Sequence, residues 1–331
     1  MSVLVLGGAG YIGSHAVYQL IEEGHQVIVI DNLITGHKKA IHRDATFYYG
    51  DIRDLHFLHT VFEKEDIEVV FHFAASSLVG ESMEQPLDYF DNNVYGTQQV
   101  LKAMVAANVG KIIFSSTAAT YGEPVSIPLT EDMPTMPTSP YGESKRMMEK
   151  LMRWAEEAHD IKYVSLRYFN VAGAKENSEI GEDHYPETHL IPIVLQVALG
   201  QRENITIFGD DYDTSDGTCI RDYVHVEDLI DAHLLAWKYL NQGSNSLICN
   251  LGSNNGFSVK EIIETARKIT GKNIPIKIGV RRAGDPSKLI ASASKAQQEL
   301  HWHPKRTSIE KIITDAWNWH EKHPHGYGKE D

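Results

Sequence analysis

Residues 2–15, "SVLVLGGAGYIGSH", decide the fold. A short apolar run with β-branched residues predicts a buried strand at residues 2–6, and a helical pattern follows over residues 11–23. Between them stand three glycines, Gly7, Gly10 and Gly13. Glycines here permit a tight turn, close approach of a pyrophosphate to the backbone, and tight packing of the helix on the sheet. The stretch therefore predicts a phosphate-binding turn at the positive end of the first helix.

The next strand adds a carboxylate at the expected distance. "QVIVID" (26–31) predicts a strand that ends in Asp31, about 20 residues after the third glycine. A carboxylate at this place hydrogen-bonds ribose hydroxyls and repels a 2′-phosphate, so the sequence predicts NAD rather than NADP. A third predicted strand, residues 45–51, ends in Asp51, which we expect near the adenine.

Strands and helices continue to alternate through the first half of the chain. Residues 68–75 and 111–117 predict buried strands, and a long helix is predicted between them from about Asn92 to Ala107, with Leu101, Met104 and Val105 among the residues that point inward. Continuous apolar strands separated by helices predict a parallel sheet covered on both faces.

After about residue 170 this pattern gives way to short strands and helices. The predicted fold is α/β, a doubly wound (Rossmann) parallel sheet with a smaller mixed α/β lobe at the C-terminal end. We assign residues 1–170 to the NAD-binding domain, with 218–240 returning to it. Residues 171–217 and 241–331 are assigned to a substrate lobe.

Composition excludes several classes of partner and site. The 331 residues carry a net charge of −14, which argues against nucleic acid and anionic membrane as partners. Two cysteines cannot form a disulfide framework or a thiolate metal site, the histidines are scattered, and we expect no metal. No apolar run approaches the roughly 20 residues a bilayer requires and no cleavage site is recognisable, so we expect a cytoplasmic protein.

"SPYGESKRMMEK" (139–150) places Tyr141 and Lys145 on one face of a predicted helix. Met148, Met152 and Ala155 continue that face, so the lysine is expected to be buried, where it needs a partner or a role. A neighbouring ammonium and the positive nicotinamide would both lower the pKa of the tyrosine. Tyr141 could then accept a proton from an alcohol as hydride passes to NAD.

A hydroxyl is expected beside this pair. "SSTAATYG" (115–122) follows a predicted strand at the carboxyl edge of the sheet, where α/β proteins bind ligands. We expect the Thr117 hydroxyl to bridge the substrate oxygen and Tyr141.

These residues resemble the extended branch of the short-chain dehydrogenase/reductase superfamily. Within it, the chain is similar to the family of UDP-glucose 4-epimerases through "GGAGYIGSH", "DNL", "GDIRD", "FHFAA", "VGES", "DNNVYGT", "SSTAATYGEP", "SPYGESK", "RYFNVAGA", "GDDYDTSDGTCIRDYVHVEDL" and "RRAGDP". The similarity extends from the first strand to about Tyr327.

The resemblance implies an NAD-dependent isomerase of carbohydrate metabolism that interconverts UDP-galactose and UDP-glucose. Bound NAD would oxidise C4 transiently to a 4-keto sugar, and hydride would return to the opposite face. The implied catalytic residues are Tyr141 as acid/base, Lys145, which orients NAD and tunes Tyr141, and Thr117.

The resemblance also implies two sets of contacts. Besides the three glycines and the catalytic pair, the NAD contacts would be Tyr11, Ile12, Asp31, Asn32, Asp51, Ile52, Phe73, Ala74, Asn92 and Phe169. The UDP-sugar contacts would be Thr117, Asn170, His189, Leu190, Phe208, Arg221, Arg282, Asp285 and Leu289.

Some positions depart from the family pattern. His189 replaces an asparagine beside the nucleotide, and Leu289 falls where a tyrosine closes the sugar pocket of glucose-only members. A smaller residue there accompanies acceptance of N-acetylated sugars, so we hypothesise that the chain also turns over UDP-GalNAc and UDP-GlcNAc.

The same scaffold can carry other functions. A 4,6-dehydratase needs an added acid and base, for which Ala118 and Ala119 are unsuited, and a non-catalytic NAD binder usually lacks the tyrosine or lysine. A 4-epimerase or decarboxylase of another UDP-sugar, a pentose or uronate, remains open.

The resemblance implies a homodimer through a four-helix bundle. The pairing segments would be about 92–107 and 141–157, and the second carries another apolar face with Met147, Leu151 and Trp154.

Overall fold

A computed structural model describes residues 1–124, 126–282 and 285–328 of the chain. Its strands, in chain order, are β1 Ser2–Leu6, β2 Gln26–Asp31, β3 Thr46–Tyr49, β4 Ile67–His72, β5 Lys111–Ser115, β6 Lys162–Arg167, β7 Asn170–Ala172, β8 Ile205–Phe208, β9 Ile220–Arg221, β10 Tyr223–His225, β11 Leu247–Asn250, β12 Phe257–Ser258, β13 Ile276–Gly279 and β14 Lys288–Leu289.

The helices lie between these strands and after them. They are α1 Tyr11–Glu22, α2 Leu55–Lys64, α3 Val79–Glu84, α4 Pro86–Tyr89, α5 Gly96–Ala106, α6 Pro140–His159, α7 Leu190–Ala198, α8 Val226–Asn241, α9 Val259–Thr270, α10 Ser294–Glu299 and α11 Ile309–Lys322. Short 3₁₀ turns cover Lys38–Ala40 and Ala118–Tyr121, and a π-helical segment, Phe90–Tyr95, leads into α5. Within the described residues, none of the helices is long and apolar enough to cross a membrane.

A parallel seven-stranded sheet in the order β11-β6-β5-β4-β1-β2-β3 forms the centre of the described chain. The strand order reverses at β1, with β2 on one side and β4 on the other, so a crevice opens at the carboxyl ends of β1 and β4. The predicted doubly wound parallel fold is confirmed.

Alternating side chains of each strand bury both faces of the sheet. Val3 and Val5 of β1 point into a core that includes α1 and α8, whereas Leu4 and Leu6 point into a core that includes α2, α5 and α6. Two covered faces explain why these strands read as continuous apolar runs rather than as alternating ones.

Strand β11 departs from the predicted division into lobes. The sequence assigned residues 241–331 to the substrate lobe, but β11 pairs in parallel with β6, and Cys249 lies fully buried in the main core. Without β11, β6 would present an unpaired sheet edge. For residues 247–250 the assignment is therefore wrong, and the rest of the division stays a prediction.

The second lobe is built around small sheets. β7 pairs with β10 and β8 with β13, while β9 lies between β12 and β14. Helices α7, α9 and α11 pack around a core of their own with side chains such as Leu195, Ile263 and Trp317.

The structure also differs from the predicted helix 92–107. It begins as the π-helical segment, and α5 itself begins at Gly96. Leu101 and Met104 are buried as expected, but Val105 is 39% exposed, because it lies on the face turned away from the sheet.

Candidate active site

The glycine turn between β1 and α1 is held by close backbone contacts. Gly7 has φ +78°, and a Cβ there would lie 2.7 Å from the backbone nitrogen of Ala74. A Cβ on Gly13 would lie 2.0 Å from the carbonyl oxygen of Gly7, while one on Gly10 would meet that oxygen at 3.4 Å. These positions leave a cradle that side chains would fill, which fits the pyrophosphate of a dinucleotide.

Asp31, at the end of β2, is fixed by two backbone donors. Its carboxylate accepts hydrogen bonds from the amides of Ala9 at 2.9 Å and Leu33 at 2.8 Å. Burial raises the pKa of Asp31, and these two amides oppose the rise. A carboxylate has about four acceptor positions, so two remain for the ribose hydroxyls.

Asp51 lies in an ion-paired network next to Asp31. Arg53 donates to it through Nε at 3.0 Å and Nη2 at 2.8 Å, and Asn32 donates at 3.1 Å. Hydrogen bonds from Arg53 lower the pKa of Asp51 to about 2. Arg53 was not among the predicted residues, although it lies within the quoted motif "GDIRD".

The other predicted cofactor contacts occupy the same edge of the sheet. The Tyr11 hydroxyl donates to the Gly173 carbonyl at 2.7 Å, so this side chain also ties α1 to the segment after β7. Asn92 donates to the Ser76 hydroxyl at 3.3 Å. The remaining members are half-buried or buried at strand and helix ends: Ile12, Ile52, Phe73, Ala74 and Phe169.

Helix α6 brings Tyr141 to Thr117. Ser139 caps the helix by accepting the Gly142 amide hydrogen at 3.2 Å, and Pro140 follows in the first helical position. Tyr141 therefore lies in the first turn, close enough to Thr117 for the threonine hydroxyl to act on its pKa. Two residues predicted to act together thus meet.

Lys145 is buried one turn further along α6. It is 4% exposed, its Nζ donates to the Ser115 carbonyl at 2.9 Å, and it lies 4.9 Å from the centre of the Phe114 ring. Burial lowers the pKa of Lys145 to about 7, with Glu149 acting in the opposite direction. Met148 and Met152 are buried on the same face, so the predicted inward stripe is confirmed.

The sequence predicted a lowered pKa for Tyr141, but the groups of the protein raise it on balance. Burial raises that pKa, and the Thr117 hydroxyl opposes the rise. Lys145 was expected to favour the phenolate, but burial lowers the pKa of Lys145 itself to about 7, which weakens this effect.

A buried carboxylate that the sequence did not predict, Glu149, follows Lys145 on α6. Glu149 is buried and accepts hydrogen bonds from Ser116 at 2.7 Å, from Ser165 at 2.9 Å and from both ends of the Arg167 guanidinium at 2.9 and 2.6 Å. It stands four residues after Lys145 on the inward stripe, and that position was the signal that could have identified it.

Asn93 was missed as well. Its amide donates to the Ser144 hydroxyl and to the Ser76 carbonyl, both at 3.0 Å, and it accepts from the Ser76 amide at 2.8 Å. It thereby joins the loop after β4 to α6. Its position in "DNNVYGT" was a signal, but nothing in the sequence shows its partners.

The predicted sugar-side residues are held mainly by pairs of side chains. Arg221 of β9 donates to Asp285 at 2.5 Å, and Leu289 of β14 is the register partner of Arg221 on the neighbouring strand. The Arg282 guanidinium lies 4.1 Å from the centre of the Phe208 ring. Ala283 and Gly284 of the "RRAGDP" motif lie outside the described residues.

A cleft of about 680 Å³ brings part of this set to the segment that follows Tyr121. Its walls include Glu123 and Ile127 on one side and Arg282, Asp285 and Lys288 on the other. The cleft is of the size that holds a small-molecule ligand.

The other predicted sugar contacts lie at the boundary of the second lobe. Asn170 donates to the Asp222 carbonyl at 3.0 Å, and Leu190 is the first residue of α7. The Nδ1 atom of His189 lies 2.9 Å from Glu182 and 3.0 Å from Glu187. Burial acts to lower the pKa of His189, but the two carboxylates outweigh it and raise that pKa to about 10.

Known proteins resemble the chain over its whole length. A model of the NAD dependent epimerase/dehydratase family matches residues 3–252. The chain is 59% identical to a UDP-glucose 4-epimerase of Halalkalibacterium halodurans over 331 residues, 100% of this chain and 99% of the other.

Solved structures agree. A crystal structure of a UDP-glucose 4-epimerase is 57% identical with a TM-score of 0.98, over 99% of this chain and 100% of the other. A UDP-glucose 4-epimerase from Bifidobacterium longum in complex with NAD+ and UDP is 39% identical with a TM-score of 0.93, over 99% of this chain and 100% of the other.

Proposed function

This chain belongs to the NAD dependent epimerase/dehydratase family, and from that premise we propose that it interconverts UDP-galactose and UDP-glucose. The reaction is a transient oxidation at C4 to a 4-keto sugar, followed by reduction from the opposite face. The observation that carries the proposal is buried Lys145, which donates to the Ser115 carbonyl at the carboxyl end of β5 and lies one turn of α6 after Tyr141.

Bound NAD supplies the oxidant for C4 and the reductant for the ketose. Tyr141 takes the proton of the C4 hydroxyl and returns it to the same oxygen at the end of the cycle. The Thr117 hydroxyl, near the phenol of Tyr141, offers a path for that proton. Lys145, fixed by the Ser115 carbonyl, holds its amino group in a buried position one helical turn after the tyrosine.

The residues after Thr117 argue against elimination of water from the substrate. Ala118 and Ala119 have methyl side chains, which transfer no proton, so the positions directly after the threonine do not provide the second acid and base that elimination of water requires.

Arginines of the second lobe bind the diphosphate of the substrate in this proposal. A chain of net charge −14 must bind a dianion through local cations, and a guanidinium binds phosphate in a bidentate manner. Arg221 and Arg282 have this role in the proposal, with Asp285 holding Arg221 in place.

A substrate panel tests the proposal. The purified protein, with no NAD added, is given UDP-galactose, UDP-glucose, their N-acetyl forms, UDP-xylose and UDP-glucuronate, and products are separated by chromatography. We expect UDP-galactose and UDP-glucose to be interconverted without net change in NADH absorbance. Faster turnover of the pentose or uronate, or release of CO₂, would contradict the proposal.

Leu289 leads us to propose that the N-acetylated substrates are accepted too. Its side chain is smaller than a tyrosine, and it lies beside Arg221 in the strand register. Leu289→Tyr should abolish turnover of UDP-GalNAc and leave that of UDP-galactose within a few-fold, whereas Leu289→Ile serves as a control of similar volume. Absence of UDP-GalNAc turnover in the unaltered protein would reject this extension.

We also propose a homodimer formed through α5 and α6. These helices contact each other and expose apolar side chains on their outer faces, among them Val105, Met147 and Trp154, the last 60% exposed. Sedimentation velocity should show a dimer, and Trp154→Glu should shift it toward monomer. A monomer at micromolar concentration of the unaltered protein would contradict the proposal. A cytoplasmic location stays a prediction, for which cell fractionation is the test.

A further inference from the structure

Four side chains in the loop between β7 and α7 direct ligand atoms toward one another: Glu182, His184, Glu187 and His189. These atoms all lie within 4.8 Å of one another, and the two glutamates are 4% and 8% exposed. We propose that this His₂Glu₂ cluster binds a divalent transition-metal ion of the zinc type. The sequence predicted no metal, because two cysteines cannot form a thiolate site and the histidines are scattered along the chain.

The distances within the cluster fit tetrahedral coordination. His189 Nδ1 lies 2.9 and 3.0 Å from the two carboxylates, and His184 Nδ1 lies 3.3 Å from Glu182 and 3.7 Å from Glu187. Zinc ligands at about 2.0–2.1 Å from the ion in a tetrahedron are about 3.3 Å apart. Small movements of the side chains would therefore admit the ion.

One of the four ligand atoms has no hydrogen-bond partner among the described residues. Nδ1 of His184 is buried and makes no hydrogen bond among the described residues, although carboxylate oxygens surround it. A buried nitrogen aimed at two carboxylates without a hydrogen-bond geometry is the arrangement expected around a cation.

Two backbone amides orient the carboxylate of Glu187, another member of the cluster. Oε1 of Glu187 accepts the amide hydrogens of Thr188 and His189, both at 2.8 Å. These bonds fix the orientation of the carboxylate and leave its second oxygen, Oε2, on the side of His184. Such outer hydrogen bonds commonly orient the ligands of metal sites.

The chemistry of the donor set favours zinc over magnesium or calcium. Two imidazole nitrogens and two carboxylate oxygens suit a borderline divalent ion, whereas Mg²⁺ and Ca²⁺ prefer oxygen ligands alone. Two glutamates neutralise the charge of a 2+ ion, so the buried site would be electrically balanced.

The position of the cluster indicates a structural role. The His184 ring lies 6.2 Å from the Tyr11 ring at the start of α1, and His189 directly precedes α7. A bound ion would brace the loop of the second lobe against the first helix of the sheet domain. Nδ1 of His189 faces the carboxylates, so Nε2 remains for the substrate contact that the family resemblance implies for this residue.

The test is metal binding by the purified full-length protein. The protein is stripped with a chelator, dialysed against Zn²⁺ and then against buffer, and its metal content is measured by mass spectrometry. Co²⁺ loading is followed by visible absorption, and thermal unfolding is measured with and without Zn²⁺. The variants are His184→Gln and Glu182→Gln, and the control is His325→Gln, in the exposed C-terminal segment.

We expect about one zinc per chain, the strong absorption of tetrahedral Co²⁺, and a Tm that rises by roughly 3–6 °C with Zn²⁺. His184→Gln and Glu182→Gln should weaken metal binding at least about 100-fold, while His325→Gln binds normally. Failure of the unaltered protein to retain metal or to respond to it would overturn the proposal and leave an ion-pair network. Equal zinc retention by His184→Gln would also overturn it, because the ion would then lie elsewhere.

Discussion

The glycine turn and the sugar-side strands are held in opposite ways. At the turn, the backbone itself sets the distances, since any Cβ on Gly7 or Gly13 would collide with main-chain atoms. On the sugar side, side chains such as Arg221 and Asp285 hold one another at the surface of small sheets. In the proposed site, cofactor binding is thus built into the fold, whereas substrate choice depends on contacts between replaceable side chains.

The largest effect is expected at Tyr141. Tyr141→Phe keeps the ring and removes the proton-transferring hydroxyl, so turnover should fall by about 10³-fold while bound NAD is retained. Initial rates with UDP-galactose and the cofactor content after denaturation measure both. Loss of NAD together with activity would mean that Tyr141 serves binding rather than proton transfer. Tyr163→Phe, on β6, is a matched control.

The turn itself should tolerate no side chain at Gly13. Gly13→Ala would place a methyl group 2.0 Å from the Gly7 carbonyl oxygen, and we expect it to lower the free energy of unfolding by more than about 3 kcal/mol or to abolish NAD binding. Gly110→Ala, where a Cβ meets nothing within 4 Å, is the control. Chemical denaturation compares the two, and similar stabilities would refute the backbone-contact account.

Substitutions of the predicted sugar contacts should change the affinity for the substrate rather than the stability of the protein. Arg221→Ala removes the guanidinium paired with Asp285 and should raise KM for UDP-galactose by about 10–100-fold, with a smaller effect on kcat. Arg202→Ala, an exposed arginine outside the predicted contacts, should leave KM unchanged. An unchanged KM in Arg221→Ala would remove that residue from the proposed diphosphate site.

The smallest expected effect concerns the pH dependence of stability. Because burial lowers the pKa of Lys145 from 10.5 to about 7, the unfolded chain binds more protons than the folded one between these values. The lysine therefore destabilises the protein most at and below pH 7, and this cost fades as the pH rises through that window.

Lys145→Met should remove the titration. The stability of the variant relative to the unaltered protein should thus decrease by more than about 1 kcal/mol between pH 6.5 and pH 9. Denaturant unfolding at both pH values measures it, and a difference that is independent of pH would contradict the assigned shift.

The same contrast explains what the sequence could predict. The three glycines and Asp31 lie within residues 7–31, and the buried stripe lies within the single helix α6, so local patterns were sufficient to place them. Arg221 and Arg282 carry no local pattern that distinguishes them from surface charges, so only the family resemblance suggested them.

Partners distant in the chain escaped prediction for the same reason. Glu149 meets Arg167 from another element, and the pairing of β11 with β6 joins segments separated by the whole first part of the second lobe. The metal-type cluster combines residues whose irregular spacing matches no motif. Sequence patterns report which face is buried, but they do not report which distant residue covers it.

The late arrival of β11 has a consequence for synthesis on the ribosome. A growing chain that has just passed β6 holds six of the seven strands of the central sheet, with the outer edge of β6 unpaired. The strand that covers it is made only after residues 170–246 have been added. An arrested or truncated chain in that interval would expose an open sheet edge, which is prone to pairing with other chains. We therefore expect translational pauses between these points to favour aggregation, and fusions or cuts there to be poorly tolerated.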